Sequence, residues 1–127
     1  MIKQSLALAL TAVLTAGCVT TRPNDDGSID ARLGQTVNVG GPRVTPLVVL
    51  EDSRCPMEAR CIWAGRVRLS VRVTTGDGSS VREVASDKPL QVAGGQLILQ
   101  GVMPPRSTQR TIAPSDYRFT LHYNRGI

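Results

Sequence analysis

The segment Glu51-Asp52-Ser53-Arg54-Cys55-Pro56-Met57-Glu58-Ala59-Arg60-Cys61-Ile62-Trp63-Ala64-Gly65 holds two of the three cysteines and the single tryptophan of this 127-residue chain. An apolar run rich in β-branched residues, 44–50, precedes it, and residues 67–73 alternate strictly between apolar and polar side chains after it. Both flanks are typical of strands. The quoted residues, named here the cysteine segment, are therefore predicted to connect two strands.

The cysteine pair can be interpreted in three ways. A metal site would need further soft or imidazole ligands, and the single histidine, His122, lies far along the chain from Cys61. A redox-active pair would have the Cys-x-x-Cys spacing, which is absent here. Because the chain carries an export leader, described below, we favour a structural disulfide between Cys55 and Cys61. We expect Ile62 and Trp63 to re-enter the core just past this ring and to hold the loop down.

The cysteine segment also carries a resemblance. Its pattern D-S-R-C-P…C-x-W-x-G, followed by an alternating strand and later by Tyr117-Arg118-Phe119-Thr120-Leu121, is similar to a group of functionally uncharacterised bacterial secreted and lipoprotein domains. The similarity covers roughly residues 33–123, and the cysteine motif is its specific part. The resemblance implies a compact all-β domain and supplies no catalytic residues.

The first residues have the pattern of a signal peptide. Met1-Ile2-Lys3 is a short positive start, and the apolar run 6–14 has the length of a secretory core and is too short to span a bilayer. The run ends in Leu14-Thr15-Ala16-Gly17-Cys18, which resembles a lipobox, although Thr15 stands where an aliphatic residue is usual. We predict a signal peptide over 1–17, cleavage before Cys18 and lipid on its sulfur. Three cysteines leave Cys18 over after one disulfide, which favours lipid over an ordinary secreted protein with a chance cysteine.

The residues after Cys18 are expected to be a tether. Residues 18–32 are polar, rich in turn formers and without period, so they are predicted to be flexible, with the domain spanning 33–127. Val19 follows the lipid cysteine, and no aspartate stands there to signal retention in the inner membrane. By resemblance to Gram-negative lipoproteins, we expect the chain to be anchored in the periplasmic leaflet of the outer membrane.

Charge and size fit one basic domain. Loss of residues 1–17 removes Lys3, which leaves 14 basic residues against 10 acidic ones and a net charge of +4. The remaining residues, about 110, are enough for one domain with a modest core, to which a disulfide is a plausible supplement.

The domain is predicted to be all-β. No helical period follows the leader, and turn residues separate seven short strand-like runs. These are residues 36–39, 43–51, 66–74, 80–85, 89–93, 96–103 and 117–123. Pro46 cannot donate a ladder hydrogen bond, so its strand is expected at an edge or a bulge. The pattern predicts an antiparallel sandwich or barrel, and we favour a seven-stranded immunoglobulin-like sandwich.

The last strand has two distinct faces. Tyr117, Phe119, Leu121 and Tyr123 share one face, which is expected to pack in the core. His122 lies on the other face, where a solvated side chain is expected.

Arginines are the main candidates for binding. Arg66, Arg68 and Arg72 are predicted to share the outward face of one strand, and Arg82 lies across the hairpin on its probable partner strand. Such a face can be merely solvated, with its charges discouraging edge pairing. Alternatively it binds an anionic envelope component, such as lipid phosphates, or an acidic protein surface. Nucleic acid is not expected as a partner, because the compartment is wrong and aromatic residues are too few for base stacking.

Catalytic and metal-binding patterns are missing from the sequence. A Ser-His-Asp site would depend on His122, and no local motif marks the serine or acid. Residues 25–30 (DDGSID) superficially resemble a calcium loop but lack its ligand spacing and closing glutamate. We therefore expect no catalytic residues, no metal and no cofactor.

The sequence supports two functional hypotheses. The first is a lipid-anchored envelope lipoprotein with a non-enzymatic β-sandwich that binds a ligand. The second is an inhibitor-like or assembly module that presents residues 52–61, including Asp52 and Arg54, to a protein partner. In both hypotheses the lipid on Cys18 holds the chain at the membrane.

Overall fold

The computed structural model describes residues 22–126, which form eight strands and one turn of 3-10 helix. The leader and Cys18 lie outside the described residues. The strands are β1 (Ile29–Ala31), β2 (Val37–Asn38), β3 (Arg43–Asp52), β4 (Val67–Thr75), β5 (Gly78–Ala85), β6 (Leu90–Val92), β7 (Gly95–Met103) and β8 (Arg118–Arg125). The helical turn, Pro114–Asp116, precedes β8.

Two antiparallel sheets of four strands each make up the fold. One sheet has the order β2-β3-β4-β5, and the other has the order β1-β8-β7-β6. The predicted all-β, antiparallel architecture is confirmed, and the arrangement is consistent with a sandwich. The immunoglobulin-like topology is not confirmed, because strands next to each other in a sheet are also consecutive in sequence, except where β1 pairs with β8.

The core comes from the alternation that the sequence shows. Val67, Leu69 and Val71 on β4 are fully buried, and on β8 Phe119 and Leu121 are fully buried as well. Full burial of such side chains contributes roughly 1.5–3 kcal/mol each. The prediction that one face of β8 packs in the core is therefore confirmed.

The first strand was not predicted. Within the expected tether 18–32, residues 29–31 form β1, in which Ile29 lies opposite Leu121 and Ala31 lies opposite Phe119. Ile29 and Ala31 are both buried, so the ordered domain begins before residue 33. Three residues are too few to show a strand period, and their pairing partner lies about ninety positions away in sequence.

Pro46 lies where a strand tolerates proline. It pairs with Val71 on β4, and a register shift separates Pro46 from Val48. β2 pairs only with the first two residues of β3, so the other side of β3 is open beyond that point, apart from the Gly34 N–H that donates to the Pro46 carbonyl. The predicted edge or bulge position is therefore confirmed.

Two tight hairpins set the register of the sheets. Thr75 lies opposite Gly78, so the β4–β5 turn has only two central residues, Gly76 and Asp77. The β6–β7 turn is formed by Ala93 and Gly94, which both have positive φ (51° and 75°). A two-residue turn with positive φ at both positions matches the twist of its flanking strands.

Candidate binding site

The predicted disulfide is present. Cys55 and Cys61 are bonded, with a Cα–Cα distance of 5.8 Å and a dihedral angle of 83° about the S–S bond. They close a small ring within the connection between β3 and β4. Residues 53–65 of this connection are called the disulfide loop below.

A side-chain clamp fixes the beginning of the disulfide loop. The Arg54 guanidinium donates to both carboxylate oxygens of Asp52, from Nε to Oδ1 and from Nη2 to Oδ2, each at 2.8 Å. It also donates to the carbonyls of Val102 (2.9 Å) and Pro104 (3.0 Å), and the Tyr117 hydroxyl donates to Asp52 Oδ2 (2.9 Å). The clamp therefore joins the end of β3 to the end of β7 and the start of β8.

Asp52 and Arg54 therefore serve the fold, although the sequence made them candidates for binding. Their side chains are only 10% and 21% exposed. Bidentate pairs of this kind are the strongest ion-pair geometry in proteins, but here the donors and acceptors are used internally.

The clamp shifts the pKa of two of its groups. Burial of the Asp52 carboxylate raises its pKa, but hydrogen bonds from Arg54 and Tyr117 outweigh burial, and the net pKa lies below the ordinary 3.8. Burial and the bond to Asp52 raise the pKa of Tyr117 above its ordinary 10.0. Asp52 is thus held ionised and Tyr117 is held protonated at neutral pH.

A second set of bonds holds the ring against the segment that follows β7. Glu58 Oε1 accepts from the Ser107 hydroxyl (2.6 Å), and its Oε2 accepts from the Thr108 backbone N–H (2.9 Å). The Arg106 guanidinium donates to the Arg54 carbonyl (2.7 Å), and the Met57 N–H donates to the Arg106 carbonyl (2.9 Å). Hydrogen bonding by Ser107 lowers the pKa of Glu58, so this anchor also stays ionised. The sequence analysis did not identify Glu58 or Arg106, because their partners lie about fifty positions away.

The end of the disulfide loop requires glycine. Gly65 has φ = 66°, and a Cβ added there would lie 1.9 Å from the Ser53 carbonyl oxygen. The two ends of the loop therefore pass each other with no room for a side chain.

Three large apolar side chains of the disulfide loop are exposed to solvent. They are Met57, Ile62 and Trp63, and together they are called the tip of the loop below. Ile62 is 92% exposed and Trp63 is 82% exposed, and Met57 inside the ring is also exposed. The expectation that Ile62 and Trp63 would pack in the core is wrong. Hydrogen bonds, the disulfide and Gly65 hold the loop instead, which leaves its apolar tip free.

The outward face of β4 is less basic than the sequence suggests. Arg66 pairs with Glu51 (2.9 Å) and lies 3.6 Å from Asp87, and Arg68 pairs with Glu83. These acids accompany the arginines on the same surface. An anion approaching the face therefore meets carboxylates as well as guanidinium groups.

Arg72 and Arg82 do not lie on one face. Arg72 is opposite Val81, whereas Arg82 is opposite Val71, whose side chain is in the core. Arg82 therefore projects from the inner side of the edge strand β5, where its Nη2 lies 3.5 Å from the Gln91 carbonyl. Arg82 does lie across the hairpin on the partner strand of β4, but not on the face that carries Arg66, Arg68 and Arg72. Arg82 instead lines one open groove with Arg66, Arg68, Glu83 and Lys88, from which Arg72 is absent.

His122 is partly buried rather than solvated. It lies on the outer face of β8, where its Cε1 is 3.7 Å from the position a Cβ on Gly27 would occupy. Among the described residues its Nδ1 finds no hydrogen-bond partner. The turn preceding β1 covers this side chain, and the sequence analysis had assigned that turn to the tether.

Residues 22–126 contain no cluster of three or more histidine, cysteine or acidic side chains arranged to hold a metal. The same part of the chain has no helix that is long and apolar enough to cross a bilayer.

Comparison with known proteins gives no match to a family model, a curated protein or a solved structure. The resemblance of the cysteine segment to bacterial secreted and lipoprotein domains stays a prediction.

Replacement of Gly65 tests the close approach within the disulfide loop. Gly65→Ala adds both the strain of positive φ, about 1–2 kcal/mol, and a collision with the Ser53 carbonyl, about 1–3 kcal/mol. Gly94→Ala is the matched control, because Gly94 has a similar positive φ (75°) but open space around it. We expect urea unfolding to show a clearly larger loss of stability for Gly65→Ala. Equal losses would contradict the close approach.

The free energy of unfolding should depend on pH through the ionisation of Asp52. Its pKa is lower in the folded chain than in the unfolded one, so its stabilising effect is present above about pH 4 and is lost as pH falls through the folded pKa. Asp52→Asn leaves Arg54 without its charged partner and should lower the free energy of unfolding by about 1–3 kcal/mol at neutral pH. The difference from the native chain should shrink as pH falls toward about 3, measured by urea unfolding across that range.

The matched control for this prediction is Asp116→Asn, since Asp116 is exposed and makes no side-chain hydrogen bond within the described residues. It should cost little stability at any pH. A stability difference for Asp52→Asn that stays constant down to about pH 3 would show that the clamp does not depend on the ionised carboxylate.

Proposed function

We propose that this protein is a lipid-anchored envelope lipoprotein whose β-sandwich is a non-enzymatic binding domain, with the disulfide loop as its binding element. The supporting observation is that Ile62 and Trp63 are almost fully exposed on a loop that is held from both ends. The lipobox-like sequence ending at Cys18 supports the anchor, and the following Val19 supports the periplasmic leaflet of the outer membrane.

Exposure of these side chains has a cost in solution. Transfer of a large apolar side chain from water to an apolar environment contributes roughly 1.5–3 kcal/mol of stabilisation. The free domain lacks this contribution at Ile62 and at Trp63. Tryptophan is also the side chain most often found at the energetic centre of an interface. A tip with this composition fits a surface that is buried when the protein is bound.

The rigidity of the disulfide loop adds to this argument. Binding elements that are already ordered lose little conformational entropy when they dock. The clamp of Asp52 and Arg54, the bonds of Glu58 and the disulfide all restrict the loop before any ligand arrives. The loop is thus pre-organised around an unused apolar tip.

The same bonds support a non-enzymatic role. Three titratable groups in and beside the disulfide loop, those of Asp52, Arg54 and Glu58, are committed to internal hydrogen bonds. A general acid or base needs a titratable group free to reach substrate. These three groups are occupied in holding the loop.

The rigid loop also favours a second candidate, an inhibitor-like or assembly module that presents the loop to a protein partner. Inhibitor and assembly loops use the same combination of a fixed backbone and a protruding apolar residue. In this case the ligand is a protein pocket that accepts Trp63.

The lipid anchor is tested by Cys18→Ser. The change removes the only proposed acylation site, and stable membrane attachment needs more than one acyl chain. We expect the variant to move from the membrane fraction to the soluble periplasmic fraction at high salt, while Cys55→Ser with Cys61→Ser stays in the membrane fraction. Membrane association of Cys18→Ser at high salt would contradict the anchor.

Site-specific photo-crosslinking tests the binding element. A benzophenone amino acid is placed at Trp63 in one strain and at Arg72, on the outward face of β4, in a matched control. Irradiation of intact cells should give discrete adducts from position 63 and none from position 72. Adducts from position 72 alone would assign binding to the arginine face instead.

A further inference from the structure

We infer that the tip of the disulfide loop inserts into the interface of an anionic lipid bilayer, so that the domain contacts the membrane at a second point besides its N terminus. This inference rests on the proposed function and names the partner of the same loop. It is carried by the side chains at the tip, by the charge around them and by the short connection to Cys18.

The apolar side chains at the tip suit a lipid interface. Trp63 is 82% exposed, and Ile62 beside it is 92% exposed. Met57, inside the ring closed by the disulfide, is 61% exposed. Tryptophan is enriched at the level of lipid headgroups, where its ring is in an apolar environment and its N–H remains hydrated.

The charge next to the tip complements anionic headgroups. Arg54 is neutralised by Asp52, which leaves Arg60, Arg106 and Arg110 against Glu58 in residues 53–65 and 104–112, a net charge of +2. Arg60 is exposed and makes no ion pair or hydrogen bond within residues 22–126. Glu58 turns both oxygens toward Ser107 and Thr108. The net charge of the disulfide loop and of the segment bonded to it is therefore positive.

The connection to the proposed anchor keeps the domain close to the bilayer. Asn24 is already bonded to the domain, because its N–H donates to the Ser28 carbonyl (2.7 Å) and its side chain donates to the Ser28 hydroxyl (3.1 Å). Only six peptide steps separate Cys18 from Asn24. An extended chain of that length reaches at most about 22 Å. Tethering at this range raises the effective concentration of the loop at the surface, so a weak insertion is sufficient.

The outward face of β4 fits lipid less well. Its arginines are accompanied by Glu51, Glu83 and Asp87, and it presents no side chain comparable to Trp63. Insertion needs both charge attraction and apolar burial. Within the described residues, the tip of the disulfide loop combines the two.

The single tryptophan makes the experiment specific to one site. The full-length chain is reconstituted into vesicles of phosphatidylglycerol and phosphatidylcholine, and in parallel into vesicles of phosphatidylcholine alone. In anionic vesicles, Trp63 emission should shift to shorter wavelength, be quenched by lipids brominated on the acyl chains and be protected from acrylamide. In the neutral vesicles these effects should be much weaker.

Two variants separate insertion from mere proximity. Arg60→Gln should lower the ratio of inserted to free Trp63 about fivefold, the contribution of one basic residue at an anionic surface. Arg72→Gln is the matched control and should leave the ratio unchanged. Both side chains are exposed, so neither change should perturb the fold.

The inference is overturned if acrylamide quenches Trp63 equally in all vesicles and brominated lipids do not quench it. That result, combined with a protein adduct from position 63 in cells, would leave the binding loop in place and assign it to a protein partner. If position 63 gives no adduct in cells at all, the proposed function fails as well. The two proposals are thus tested separately.

Discussion

The bidentate pair between Asp52 and Arg54 is the interaction on which the rest of the structure depends. Asp52 ends β3 in one sheet, while Tyr117, which donates to it, precedes β8 in the other. Arg54 adds two bonds to carbonyls at the end of β7. Removal of either partner would leave the other charge partly buried and unpaired. Such a change destabilises a fold strongly. One short motif thus closes an end of the sandwich and sets the direction of the disulfide loop.

A loop fixed by polar bonds can leave its apolar residues in water. A loop of this length can be held by burying a large side chain in the core. Here the disulfide, the bonds of Glu58 and Arg106 and the glycine at position 65 take over that task. Trp63 is consequently not needed for the fold. Its exposure is consistent with the proposed role of the loop in binding.

Local sequence patterns correctly predicted the features that depend on residues close together in the chain. The alternation of β4 and β8, the edge position of Pro46 and the disulfide were all predicted from the sequence. The face that carries Arg82 was harder to predict than its strand, because the face depends on the register of the hairpin. The two-residue turn at Gly76 and Asp77 sets that register so that Arg82 lies opposite Val71. A shift of one residue moves every side chain of a strand to the other face. β1 and the contacts of Glu58 were missed because their partners are distant in sequence.

Net charge alone does not indicate which arginines are free to meet a ligand, and the individual arginines show why. Arg54, Arg66 and Arg68 are paired with acids, and Arg106 donates to a backbone carbonyl. Guanidinium groups are well suited to such internal roles, because their planar donors satisfy several acceptors at once. What matters for a ligand is therefore the charge that remains unpaired next to an apolar surface. By that criterion the disulfide loop, in which Trp63 is exposed and Arg60 is unpaired among the described residues, is a stronger candidate than the more arginine-rich face of β4.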